Sequence, residues 1–309
     1  MQRLKGIDDL EELTSITNCE RRKTLRQVLQ SKQCLRIIEA HSPISAMIAE
    51  KTRVMVNDDC LAYDGFWCSS LTDSLLQAKP DIEILDVNFR LKNIHNIFDV
   101  TTKPMIYDAD TGGKIEHLIH DVRALERAGV SMIVIEDKTG LKKNSLLGND
   151  VEQKQDDIES FCEKISMAKK SQNTQEFMVA ARIESLILDK GLEDALIRAD
   201  AYVNAGADAV LIHSRKRSGD EIMEFASRFR AIHPTVPLMC VPTSYSHLHY
   251  QELKDMGFNI IIYANHMMRS AISSMESVAK SILSEGCSEH IERDCISVKQ
   301  ALAFIPGTI

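Results

Sequence analysis

The chain has 309 residues, of which 44% are hydrophobic and 27% charged, and it carries a net charge of −8 with a pI of about 5.7. Its 37 Lys and Arg are scattered rather than gathered into a stripe, which argues against a nucleic-acid partner. No apolar run approaches the roughly 20 residues of a membrane helix, and no charged-then-apolar leader opens the chain, so no membrane association and a cytoplasmic location are expected.

Residues 1–34 read as an N-terminal extension of one or two helices. Eight short apolar runs follow: Leu35–Ala40, Ala62–Trp67, Pro104–Asp108, Met132–Glu136, Phe177–Ile183, Ala209–His213, Val236–Val241 and Asn259–Tyr263. Segments of helical period lie between them, among them Lys114–Ala128, Asp156–Gln172, Leu192–Ala205, Asp220–Ala231 and Asn265–Glu285. Strand then helix, repeated about eight times, predicts an α/β fold, a closed (β/α)8 barrel of the TIM type over residues 35–285. An open doubly wound sheet is the alternative, and it lacks its Gly-rich dinucleotide turn after the first strand. Residues 286–309 read as a helical tail with a short helix at Cys295–Phe304. The eight cysteines form no C-x-x-C pair and read as reduced thiols without a zinc site.

A barrel of this kind carries its chemistry where the strands end. Glu39 and His41 close the first run, Trp67, Cys68, Ser69 and Ser70 the second, Asp108 and Asp110 the third, Glu136, Asp137 and Lys138 the fourth, Arg182 and Glu184 the fifth, and His213 and Ser214 the sixth. Asp108-Ala-Asp110-Thr-Gly-Gly sets two carboxylates two residues apart before a tight turn. With Glu136 this makes an oxygen-rich rim suited to Mg²⁺, while the plain reading of the motif is a helix cap and turn. Lys142, Asn144 and Ser145 lie in a polar stretch of about a dozen residues after Glu136, readable as a lid or as an idle surface loop. Arg182 ends an apolar strand and needs an anion, which Glu184 or a substrate could supply. His213 could be a core histidine or an anion donor. Backbone amides from Trp67 through Cys68, Ser69 and Ser70 could form an anion-binding turn.

The ordered set Ile37-Ile-Glu-Ala-His41, Trp67-Cys-Ser-Ser-Leu71, Asp108-Ala-Asp-Thr-Gly112, Glu136-Asp-Lys…Lys142-Lys-Asn-Ser145, Ala181-Arg-Ile-Glu184 and Ile212-His-Ser resembles the phosphoenolpyruvate mutases of the isocitrate lyase superfamily, from about Leu25 to Ala303. The resemblance implies Mg²⁺-dependent interconversion of phosphoenolpyruvate and phosphonopyruvate, with a pathway link to a phosphonopyruvate decarboxylase or transaminase. It implies a metal on Asp108, reached by Asp110 and Glu136 through water, and a substrate held by Arg182, His213, Trp67, Cys68, Ser69, Ser70 and Glu184 under a lid of Lys142, Asn144 and Ser145. Asp81, otherwise a turn residue, becomes a positioning residue or a phosphoryl carrier. A terminal helix swapped between subunits of a homodimer or homotetramer is implied as well.

The sequence departs from the common pattern at Thr139-Gly-Leu141 and at Cys68, where many members have Phe-Pro and Gly. Rival readings are a phosphonopyruvate or oxaloacetate hydrolase, a 2-methylisocitrate-type lyase, and a barrel that binds an acidic metabolite without catalysis. The lyases carry a loop with Cys and His, absent from Glu136–Asp150, and the hydrolases usually lose the asparagine that stands here as Asn144.

Overall fold

The computed structural model describes residues 15–305 and Gly307. Eight parallel strands close into a barrel: β1 (Leu35–Glu39), β2 (Gly65–Cys68), β3 (Met105–Asp108), β4 (Met132–Glu136), β5 (Met178–Ile183), β6 (Ala209–Ile212), β7 (Leu238–Cys240) and β8 (Ile260–Tyr263). Closure is explicit in the register, where Ile37 of β1 stands beside Gly65 of β2 and Ile262 of β8. All eight fall within the apolar runs marked from sequence or one residue past them, and the open sheet is excluded.

The five helices expected between strands form at Ile115–Ala128, Ile158–Ser171, Leu192–Asn204, Asp220–Ile232 and His266–Glu285. The second strand is followed by two helices, Ser70–Leu76 and Val87–Phe98, each started by a side-chain cap from Ser69 and Asp86 respectively. The break between them carries Asp81 over the rim. An exposed hairpin, Val54–Val56 with Asp59–Leu61, was not foreseen. Its turn places both Asn57 and Asp58 at positive φ, which suits a tight two-residue connection.

The helix Asn18–Ser31 closes the opposite end of the barrel; the expected helical content before Ser15 lies outside the described residues. Its Leu25 is fully buried in the cluster formed by Leu35, Met132, Met178, Ala209 and Ile260, which open their strands. Arg21 is buried beside it and donates to the Lys103 carbonyl at 2.8 Å and the Phe98 carbonyl at 3.1 Å, so its charge is solvated by backbone. In the tail the short helix runs Val298–Phe304, preceded by one turn at Glu289–Glu292.

Candidate active site

Strand parity builds the site. Ile37, Trp67, Ile106, Val134, Ala180, Leu211, Met239 and Ile262 point into the barrel and pack there. Two residues further along each strand, on the same face, stand Glu39, Ser69, Asp108, Glu136, Arg182, His213, Val241 and Ala264. All but Glu39 line one pocket at the C-terminal rim, together with Trp67, Ser70, Asp81, Lys142, Asn144 and Ser145. The free space among them is about 50 Å³, enough for a few water-sized groups. Glu39 is spent on structure: it pairs with His41 and accepts from the Met268 amide at 3.1 Å, fixing the start of His266–Glu285.

The charges are arranged as a dense, buried network. Arg182 donates through Nε to Glu184 at 2.6 Å and through Nη2 to Ser145 Oγ at 2.7 Å and His213 Nδ1 at 2.9 Å. Glu184 Oε1 lies 3.4 Å from the same Nδ1, but the guanidinium contact is shorter and guanidinium only donates, so Nδ1 of His213 is the acceptor and the imidazole is neutral, with its proton on Nε2. Burial and the adjacent Arg182 both push the His213 pKa down, in agreement. Burial alone would weaken the Arg182 charge, but Glu184 and Glu136 more than restore it. Burial pushes Glu136 up to about 7 against the pull of Lys138 and Arg182.

Asp108 accepts from Ser70 Oγ at 2.9 Å and from the Ser70 amide at 3.3 Å. Burial raises its pKa, but Arg182, Lys142 and Arg90 outweigh that and hold the carboxyl below its ordinary range. Asp110 adopts φ of +51°, a left-handed conformation that turns the chain sharply after β3. Burial lifts its pKa despite Lys142 at 2.8 Å.

The segment expected as a lid leaves β4 through a two-stranded ribbon, Lys138–Thr139 with Lys154–Gln155, and includes a 3-10 turn at Ser145–Asp150. It is therefore an ordered cover with its own hydrogen bonds. Lys142 and Asn144, two residues apart, both reach Asp81: the lysine as an ion pair, the asparagine by donating to Oδ2 at 2.8 Å.

Two residues expected to bind substrate stand elsewhere. Cys68 is one residue out of phase with the inward face, so its thiol lies fully buried on the outer side of β2 and donates to Asp73 at 3.3 Å. Glu184 lies wholly buried beneath Arg182, which makes it the partner that orients the guanidinium. The turn at Trp67–Ser70 is also less open to an anion than expected, because the Ser70 amide faces Asp108. Sequence reading placed Lys138 at the end of the fourth strand without a role, and it missed Arg90. Arg90 is buried and donates to Asp73 at 2.7 Å, to the Asp108 carbonyl at 2.6 Å and to the Cys68 carbonyl at 3.1 Å, so it holds the ends of β2 and β3. A helix-borne arginine among polar neighbours gives no sequence signal for this.

Among the described residues, no three His, Cys, Asp or Glu side chains come together closely enough to hold a metal ion by themselves. The donors nonetheless fit a hard cation bound through one protein carboxylate. Asp108 is held below its ordinary carboxylate range at the pocket wall, while the buried Asp110 Oδ1 and Glu136 Oε1 are each met by an ammonium group, Lys142 at 2.8 Å and Lys138 at 3.2 Å. Mg²⁺ keeps several waters and takes oxygens from its substrate, so one direct ligand with two outer carboxylates suits it.

The sequence model of the phosphoenolpyruvate phosphomutases matches residues 25–283. The chain is 33% identical to a phosphoenolpyruvate phosphomutase of Tetrahymena pyriformis, over 93% of this chain and 92% of that protein. It is 34% identical to a phosphonopyruvate hydrolase of Variovorax sp. (strain Pal2), over 91% and 93%. The crystal structure of a phosphoenolpyruvate phosphomutase from Streptomyces platensis subsp. rosaceus superimposes with a TM-score of 0.83 at 34% identity, covering 91% of this chain and 93% of that one. A phosphonopyruvate hydrolase in complex with oxalate and Mg²⁺ superimposes with a TM-score of 0.80 at 32% identity, covering 94% and 95%. With the closed barrel and its rim residues, these matches establish that the chain belongs to the phosphoenolpyruvate phosphomutase family of the PEP mutase/isocitrate lyase superfamily.

Proposed function

We propose that the protein is a phosphoenolpyruvate mutase, moving a phosphoryl group between the enolate oxygen and the methylene carbon of one pyruvyl unit. The observation that carries this reading is the closure of Lys142 and Asn144 on Asp81, which sets amide and ammonium donors over the pocket and shields it from water. Water is the competitor of an internal transfer, so a mutase needs such a cover. Asn144 and the absence of Cys and His from the lid favour this over the hydrolase and lyase readings.

Mg²⁺, held by Asp108 with Asp110 and Glu136 as outer carboxylates, would supply positive charge to the carboxylate and enolate oxygens. Arg182 binds and orients the anionic end of the substrate, braced by Glu184. His213, neutral and carrying its proton on Nε2, donates one hydrogen bond to the same anion. Ser145 and Asn144 add neutral donors from above, while Lys142 balances Asp81 and Asp110 as the lid closes. Phosphoryl transfer through a loose transition state asks chiefly for this positioning and charge balance, so Asp81 acts as an anchor for the lid and forms no covalent bond to phosphorus.

The hydrolase stands as a second reading because the identity to the Variovorax enzyme matches that to the mutase. Phosphorus NMR of the purified protein with phosphonopyruvate and Mg²⁺, repeated with EDTA, separates the two. A metal-dependent phosphoenolpyruvate signal supports the mutase, and inorganic phosphate in its place sinks it. We extend the proposal to a homodimer or homotetramer joined through His266–Glu285, in which Met268 alone is buried while Ile272, Met275, Ile282 and Leu283 are exposed. Light scattering after gel filtration tests it; a monomer excludes it. A decarboxylase or transaminase acting on phosphonopyruvate would complete the pathway, since the equilibrium of the internal transfer favours phosphoenolpyruvate.

A further inference from the structure

Lys138 stands at the foot of the lid two residues past Glu136, 2% exposed in its side chain and paired with Gln155 in the ribbon. Its ammonium has three N–H groups, and three acceptors surround it: the Lys143 carbonyl at 2.8 Å, Ser145 Oγ at 2.9 Å and Gln153 Oε1 at 3.0 Å. These acceptors come from both limbs of the lid. Glu136 and Glu184 lie beneath, 3.2 and 3.7 Å from the same nitrogen. With its donors spent, Lys138 has none left for a substrate.

Ser145 records the consequence. Its hydroxyl oxygen accepts from Lys138 on one side and from Arg182 Nη2 at 2.7 Å on the other. A hydroxyl oxygen has two lone pairs, so both are occupied and its own O–H is turned away from these two cations. Ser145 lines the pocket, and that proton is available to an anion there. Gln153 continues the clamp by donating to the Gly148 carbonyl at 2.7 Å, inside the 3-10 turn.

We propose that Lys138 is a positioning residue: it locks the lid in register over Glu136 and Glu184 and, with Arg182, orients the Ser145 hydroxyl as a hydrogen-bond donor toward the anionic substrate. The kinetic consequence rests on the mutase reading above; the ordering of the lid does not.

The test uses the full-length enzyme and three variants, Lys138→Met, Gln153→Ala and Ser145→Ala. Lys138→Met leaves two buried acids facing each other, so Gln153→Ala, outside the pocket, serves as the milder cut of the same clamp. Deuterium uptake over residues 140–153 is measured without substrate, and kcat and KM for phosphonopyruvate with Mg²⁺ are measured per folded molecule. Misplacing a binding group by about 1 Å can cost roughly 100-fold in rate. We expect faster exchange in the lid for Lys138→Met and Gln153→Ala, a kcat loss of roughly 10- to 100-fold for Lys138→Met with a smaller change in KM, and no further loss on adding Ser145→Ala to it. Unchanged lid exchange in Gln153→Ala, or additive losses in the double variant, would overturn the proposal. A residue with only a structural part would lower the folded fraction and leave kcat per folded molecule intact. Should the wild-type protein turn over no phosphonopyruvate, the mutase reading fails, and the exchange measurement alone decides for or against the clamp.

Discussion

Asn144 Nδ2 donates to Asp81 Oδ2 across 2.8 Å, joining the lid after the fourth barrel strand to the helix break after the second. The partner oxygen, Oδ1, pairs with Lys142, so one carboxylate anchors both lid side chains. Asn144→Ala removes the neutral donor without touching Asp108. We expect a fall in kcat of roughly 100- to 1,000-fold, the range seen on removing one preorganised donor at a transition state. Mg²⁺ binding followed by calorimetry should be unchanged. Asn144→Asp faces Asp81 with a like charge and should loosen the lid further, visible as faster proteolysis between residues 140 and 153.

In the proposed function Arg182 and His213 share the substrate anion. Arg182→Ala removes a charge-assisted clamp and leaves Glu184 buried without its partner, a loss of about 2–5 kcal/mol, or roughly 30- to 4,000-fold in kcat/KM. Steady-state kinetics on phosphonopyruvate checks this, and a fully active variant would exclude the assigned role.

The neutral state of His213 makes a pH prediction. Its pKa in the folded protein lies below 6.5, the value expected when unfolded, because burial and Arg182 oppose a second positive charge. Between that lowered value and 6.5 the unfolded chain binds a proton that the folded protein refuses. The contribution to stability is therefore present above about pH 6.5 and is lost as pH falls through this window. Turnover should fall on the same acid side, since protonation of Nδ1 breaks the bond from Arg182. Ring nitrogen shifts in ¹⁵N NMR should place the proton on Nε2 at neutral pH. His213→Gln should flatten the part of the acid limb due to this residue.

The proposed function sets Asp108 apart from its neighbours as the direct metal ligand. Asp108→Ala should abolish Mg²⁺ binding by calorimetry, whereas Asp110→Asn and Glu136→Gln should weaken it by roughly 10- to 100-fold, as outer-shell changes do. Equal losses in all three variants would argue for three direct ligands.

Arg90 supports the site from outside the barrel. Arg90→Met leaves Asp73 buried and unpaired and releases the carbonyls of Cys68 and Asp108, so we expect a loss of about 3–5 kcal/mol in unfolding free energy. Urea denaturation measures it. Loss of Mg²⁺ affinity should accompany it, because the Asp108 backbone is no longer held.

The amino-acid sequence alone determined the eight strands, their order, and most of the polar rim. Short β-branched runs alternating with helical periods leave few topologies open, and a strand end is a position that can be counted along the chain. Parity was not legible, because the strands are apolar on both faces: Asp108, Glu136, Arg182 and His213 follow inward residues by two, whereas Cys68, expected at the substrate, follows Phe66 and faces outward. What needed tertiary structure was every pairing between separate segments. Asp81 lies 61 residues before Lys142 and 63 before Asn144, and a turn residue carries no local mark of the lid that will meet it. The partners of Lys138, and the part played by Arg90, were invisible for the same reason. A buried cation is defined by the carbonyls and carboxylates that replace its water, and those partners converge only when the barrel closes.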